Sequence, residues 1–141
     1  MYRRILLVED NGDLSFSLKE RFEQLKVDVK CADNNISALG LWRKYKGEFD
    51  CIILDLNIYP YDDTNLTNKY YPTNSLIFIK DLGWNNNLEP NVKVIIYSGY
   101  IYELKCICAQ TGLSINGMKI FEKTGCSIDE LIDYIQNEIL K

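Results

Sequence analysis

The chain is 141 residues long, 47% hydrophobic and 26% charged, with a formal net charge of −4; that size fits one domain around a single core and leaves nothing for a second. The surplus of acid and the lack of any basic block exclude nucleic acid as a direct partner of this domain, because phosphate contacts need clustered Lys and Arg. Histidine is absent, so Ser-His-Asp and Cys-His catalysis, histidine-ligated zinc and an internal phosphohistidine are excluded within these residues.

No basic n-region followed by a long apolar run opens the sequence, and no apolar stretch approaches the ~20 residues of a membrane span. The expectation is a cytoplasmic protein that makes no membrane contact. Five cysteines (Cys31, Cys51, Cys106, Cys108 and Cys126) form an odd set without CxxC spacing, which predicts reduced, packed thiols rather than a disulfide framework.

Residues 4–8, RILLV, read as a buried strand, and the following NGDLSFSLKERFEQLK places Leu14, Leu18, Phe22 and Leu25 on one helical face. VDVKC, 27–31, alternates Val27, Val29 and Cys31 with polar residues, the pattern of a strand with one wet face or at an edge. The second helix carries Ala38, Leu41, Trp42 and Tyr45, with Asn34 or Asn35 as N-cap, and leads through Gly47 to CIILD, 51–55, which is apolar on both faces and therefore central.

A third helix is predicted from near Asn74, with Leu76, Ile77, Ile79 and Leu82 before Gly83 stops it, and VKVIIYSG, 92–99, is the fourth strand. A helix covers roughly 102–111, and MKIFE, 118–122, is a short fifth strand. Ser127 with Glu130 makes a capping-box pattern for a last helix carrying Ile128, Leu131, Ile132, Ile135 and Ile139. Strands alternating with helices in this way predict an α/β fold: a five-stranded parallel sheet in the order 2-1-3-4-5, with helices on both faces, in a single domain over 1–141.

In such a sheet, function gathers at the carboxyl ends of the strands, beside the point where strand order reverses. Those ends carry Glu9 and Asp10 after the first strand, Asp55 after the third, Ser98 after the fourth and Lys123 after the fifth. Strands one and three are neighbours in the predicted order, so three carboxylates converge, and like charges so placed call for a cation. Hard oxygen donors without thiolate or imidazole point to Mg²⁺. Ser98 offers a hydroxyl donor and Lys123 a positive charge, a set able to hold phosphoryl oxygens while Asp55 acts as nucleophile and becomes an aspartyl phosphate.

With these five residues, each at its strand end, the sequence resembles the receiver domain of two-component response regulators, the fold of the chemotaxis switch protein, over essentially its whole length. The resemblance implies that Glu9 and Asp10 bind Mg²⁺ with Asp55, that the backbone carbonyl of Asn57 completes the metal site, and that Asp55 is the phosphoacceptor, with Ser98 and Lys123 contacting the phosphoryl oxygens. It implies a sensor histidine kinase or phosphotransfer protein as donor. It also implies a switch in the surface around the fourth strand, the following helix and the fifth strand, read by an effector protein, an output domain or a phosphorylation-dependent homodimer. Such a protein phosphorylates and dephosphorylates itself rather than turning over an external substrate.

Singly, each residue has an ordinary reading: an Asp after a strand as turn former, Ser98-Gly99 as a turn, Lys123 as a solvated charge, Glu9 and Asp10 as the start of a helix cap. Three features depart from the family pattern. Thr124 stands after Lys123 where the family has Pro; Ile120 stands where an aromatic residue commonly reports phosphorylation, the adjacent Phe121 belonging to the other face of its strand; and the third is a long segment after Asp55. The segment over about 56–73 is longer than the family's turn and holds Tyr59, Tyr61, Tyr70 and Tyr71 with Asp62 and Asp63, aromatic anchors suited to a lid or a partner surface as much as to a solvated insertion.

Thr124 and Ile120 support the alternative of a phosphate-insensitive interaction module with the same fold. An Asp-nucleophile phosphatase would want a second Asp two residues after the nucleophile, where Asn57 stands, and a dinucleotide-binding role lacks its Gly-rich loop.

Overall fold

A computed structural model of the chain describes residues 3–46, 48–56, 75, 78, 79, 82, 92–99, 117–125 and 127–141. They form strands β1 (Arg3–Val8), β2 (Val27–Ala32), β3 (Cys51–Leu54), β4 (Lys93–Ser98) and β5 (Lys119–Glu122), with helices α1 (Gly12–Gln24) and α2 (Asn35–Lys44) and a C-terminal helix (Ile128–Glu138). The described strands make one parallel sheet in the order β2-β1-β3-β4-β5, the order expected from which strands are apolar on both faces. Ser75, Phe78 and Ile79 are helical, inside the helix expected from Asn74, whose other residues lie outside the described set. The expected helix over 102–111, Asn57, most of the 56–73 segment, and Cys106, Cys108 and Cys126 also lie outside it.

The period of two along each central strand divides the core in half. Ile5, Leu7, Cys51, Ile53, Ile95 and Tyr97 face one side, where Leu18 and Phe22 of α1 and Leu131, Ile132 and Ile135 of the C-terminal helix cover them. Leu6, Val8, Ile52, Leu54, Val94 and Ile96 face the other, under Ala38 and Trp42 of α2 and the group Phe78, Ile79 and Leu82. Trp42 stacks on Phe49 with ring centroids 6.0 Å apart. Carried on both faces in this way, β1, β3 and β4 have almost no freedom to slip, since a one-residue shift would exchange two packed sets.

The helix boundaries follow their capping residues. Asn11 caps α1 by accepting from the Leu14 amide, Asn34 caps α2 through the Ser37 amide, and Ser127 caps the C-terminal helix through the Glu130 amide. The cap of α1 is thus Asn11 and not either of the carboxylates before it.

Two expectations fail in detail. Leu25 is 39% exposed, because it is the C-cap of α1, where the chain turns through Lys26 at φ 63 before β2. Cys31 is exposed rather than packed: it is on the strand face that α1 covers near Phe22, but at its level α1 presents Phe16, itself 67% exposed, and Lys19 across an open groove. Cys51 is buried as expected, and burial pushes its thiol well above the ordinary value, which leaves it an inert core group.

At the amino ends of the strands an ion network ties the sheet edge together. The Arg4 guanidinium bonds Asp28 of β2 at 2.6 Å, pairs with Glu48 and lies 4.3 Å from the Tyr45 ring centroid. The Arg4 amide donates to Asp50 at 2.9 Å, and Arg3 pairs with the same carboxylate at 3.2 Å. These contacts join β1 to β2 and to the approach to β3 at the end opposite the candidate site. Among the described residues, no helix is long and apolar enough to cross a membrane.

Candidate functional site at the carboxyl ends of the strands

The parallel register carries the strand ends to one place. The Glu9 amide donates to the Ala32 carbonyl at 2.9 Å, so β1 continues its pairing with β2 one residue past the strand proper. The Asp55 amide donates to the Val8 carbonyl at 2.9 Å, and the Lys123 amide to the Ser98 carbonyl at 3.0 Å. Glu9, Asp55 and Lys123 are therefore each hung from the neighbouring strand by a main-chain hydrogen bond. The sheet, rather than a loop, sets their relative positions.

Glu9, Asp10 and Asp55 each offer a carboxylate oxygen, and these oxygens lie within 4.8 Å of one another. Glu9 and Asp55 are each only 4% exposed, and Asp10 is half-buried. Lys123 reaches into the cluster: its Nζ lies 3.2 and 3.0 Å from the two Glu9 oxygens and 3.4 Å from Asp55 Oδ2, and 5.6 Å from the Tyr97 ring centroid. Ser98 is fully buried at the end of β4. The structure thus brings Glu9, Asp10, Asp55 and Lys123 together and places Ser98 at the adjoining strand end; Asn57 lies outside the described residues.

Burial, and after it the negative charge of Asp55, push the Glu9 carboxyl up to about 7, against the pull of the Lys123 ammonium and the Asn11 amide. Burial alone would lower Lys123, but the carboxylates of Asp55 and Glu9 outweigh it and hold the ammonium above its ordinary value. Lys123 therefore stays charged and compensates part of the acidic cluster. Two buried carboxylates and a third at the rim, all hard oxygen donors, suit Mg²⁺, which takes few protein ligands and keeps several waters. The donor set fits that ion.

The departures in β5 have a clear structural consequence. Ile120 packs against the cluster under α2, while Phe121 packs on the opposite face, edge-on to Tyr134 of the C-terminal helix at 5.3 Å. The loop after Lys123 closes without proline: the Gly125 amide donates to the Glu122 carbonyl at 3.1 Å and Thr124 Oγ1 lies 3.2 Å from Glu122 Oε1.

Two participants escaped the sequence reading. Tyr97 precedes Ser98 and lies beneath the Lys123 ammonium; its place in an apolar strand marked it only as core. Ser75 is fully buried and its hydroxyl donates to the backbone carbonyl of Asp55. A bond across 20 positions has no local sequence signal.

Neither protein-family models nor curated protein sequences match this chain. Solved structures do. The chain is similar to chemotaxis protein CheY4 of Vibrio cholerae at a TM-score of 0.68 and 15% identity, covering 97% of this chain and 98% of that one. It is similar to the receiver domain of the Francisella response regulator 1452 at 0.63 and 22%, covering 96% and 94%. It is also similar to a CheY-like receiver domain from Methylobacillus flagellatus at 0.63 and 19%, covering 97% and 98%. At these identities the likeness speaks for the backbone: the chain has the CheY-like receiver fold, a five-stranded parallel sheet ordered 2-1-3-4-5 with helices packed on it.

Proposed function

We propose that this chain is a phosphoryl-accepting receiver of a two-component system, with Asp55 as the acceptor. The observation that carries this reading is the meeting of Glu9, Asp10 and Asp55 oxygens within 4.8 Å, with the Lys123 ammonium 3.4 Å from Asp55. A structural role alone does not explain two buried carboxylates held against each other with one lysine between them.

The donor is a phosphohistidine on a partner, a sensor histidine kinase or a phosphotransfer protein, since these residues include no histidine. Asp55 attacks phosphorus in line, a carboxylate O–P bond forms as the P–N bond breaks, and the imidazole leaves with the electron pair. Lys123 and the Ser98 hydroxyl stabilise the charge on the phosphoryl oxygens. Glu9, Asp10 and Asp55, with the Asn57 carbonyl, would hold Mg²⁺, which supplies further neutralisation of those oxygens when bound.

The new charge on Asp55 then biases the surface around β4, the segment over 102–111 and β5, through Ser98 and Lys123, toward a second arrangement read by an effector, an output domain or another copy. Water returns the carboxylate by hydrolysis, which makes the protein a switch rather than a turnover enzyme. The test is intact mass after incubation with Mg²⁺ and acetyl phosphate, beside Asp55→Asn and a chelated sample. A metal-dependent adduct on the wild type alone is expected. No adduct with any donor overturns the reading in favour of a phosphate-insensitive interaction module.

A further inference from the structure

Asp55 leaves the sheet with its backbone held on both sides. Its amide donates to Val8 of β1 at 2.9 Å, and its carbonyl accepts from the Ser75 hydroxyl. The last paired position of β3 is Leu54, opposite Val8 of β1 and Ile96 of β4, so the Asp55 carbonyl lies just beyond the ladder.

Ser75 is well suited to hold that carbonyl in place. It is fully buried, and Phe78, Ile79 and Leu82 just after it are sunk in the core beneath β3. These three apolar side chains fix the backbone that carries the hydroxyl, and a buried hydroxyl is held to its acceptor by the cost of leaving either group unpaired. The acceptor here is the peptide of the one residue whose side chain does the proposed chemistry. With N–H and C=O both fixed, the Cα–Cβ bond of Asp55 cannot swing, and its carboxylate keeps only the side-chain torsions.

We propose that Ser75 is a positioning residue for phosphoryl acceptance: its hydroxyl, bonded to the Asp55 carbonyl, fixes the direction from which the carboxylate attacks. This rests on the reading of Asp55 as acceptor. In-line attack is sensitive to placement, a displacement of about 1 Å costing on the order of 100-fold in rate. Removing the Ser75 anchor is expected to slow the reaction about tenfold on that scale.

The experiment follows adduct formation by intact mass for wild type, Ser75→Ala, Ser75→Gly and Ser75→Thr, with Mg²⁺ and increasing acetyl phosphate. It yields a plateau, a maximal rate constant and a half-saturating donor concentration for each. Ser75→Ala is expected to reach the wild-type plateau with its maximal rate constant about tenfold lower at unchanged half-saturation, and Ser75→Thr, which keeps the hydroxyl, to recover to within about threefold of wild type. Ser75→Gly supplies a second hydroxyl-free protein should the alanine variant not fold. A lowered plateau at a wild-type rate constant is the mark of a merely structural loss and overturns the proposal, as does a wild-type rate at a wild-type plateau. An adduct on the wild type with the hydroxyl-free variants unaffected sinks the positioning role alone. If the wild type takes no phosphoryl group, the acceptor reading falls and the positioning role with it.

Discussion

Replacing Glu9 by Gln separates what this carboxylate does to the fold from what it does in the site. Glu9 is 4% exposed, and burial followed by repulsion from Asp55 moves its carboxyl from 4.5 to about 7. At about 1.36 kcal/mol per pKa unit, that interval is roughly 3 kcal/mol between the charged and neutral forms. The folded chain binds this proton more tightly than the unfolded chain does. The associated stability is therefore intact below about pH 4.5 and is lost as pH rises through about 7.

Glutamine imitates the protonated acid and has no such dependence. In urea unfolding with chelator present, Glu9→Gln is expected to gain on the wild type by roughly 2–3 kcal/mol between pH 5 and pH 8. On the proposed function, with Mg²⁺ at about 100 times its dissociation constant and pH 8, the wild type is expected to recover about 2.7 kcal/mol while the variant, lacking one of the proposed ligands, gains little. A difference between the two proteins that stays constant from pH 5 to pH 8 without metal would refute the placement of Glu9 as a desolvated carboxylate beside Asp55.

Four further substitutions test the fold that carries the site, each read by chemical denaturation. Asp28 is held below the usual carboxylate range, since the Arg4 hydrogen bond and the Lys30 charge outweigh its burial, so Asp28→Asn is expected to cost about 1 kcal/mol at pH 7 and progressively less as pH falls through the native Asp28 titration. Phe22→Ala, at a position with no exposed surface, is expected to cost about 3–5 kcal/mol. Ser127→Ala, which removes the acceptor for the Glu130 amide, is expected to cost about 1 kcal/mol. Lys26→Gly is expected to stabilise by roughly 0.5–1 kcal/mol, because Lys26 sits at φ 63, where a side chain is penalised.

The fold was legible because each central strand is apolar at both parities, as in CIILD, and the three helices described from end to end begin on side chains able to cap them, Asn11, Asn34 and Ser127. Those patterns place strand ends, and strand ends in a 2-1-3-4-5 sheet place Glu9, Asp55, Ser98 and Lys123 by topology alone. What was not legible is whatever depends on a partner distant in sequence. Cys31 follows the alternation of Val27 and Val29, yet its exposure depends on where α1 stands opposite it. Leu25 has the periodicity of its helix but falls on the cap. Ser75 has no pattern at all, since the acceptor of its hydroxyl is the carbonyl of a residue on another element.

Thr124 stands where the resembled receiver pattern has proline, and a main-chain contact that orients Lys123 lies before that position. Lys123 is aimed by the hydrogen bond from its own amide to the Ser98 carbonyl, which extends the β4–β5 register Ser98 opposite Glu122 by one residue. That register alternates sides, so Lys123 comes over the Tyr97 ring toward Asp55, Phe121 goes to Tyr134, and Ile120 goes to the core under α2. A phosphoryl group on Asp55 that draws Lys123 and Ser98 inward would pull on β4 and β5 together, through a main-chain bond that both share. In this chain the aromatic residue of β5 is committed to the C-terminal helix. The conformational signal is therefore expected to travel through the paired ends of β4 and β5 rather than through rotation of a ring at position 120, which is an isoleucine.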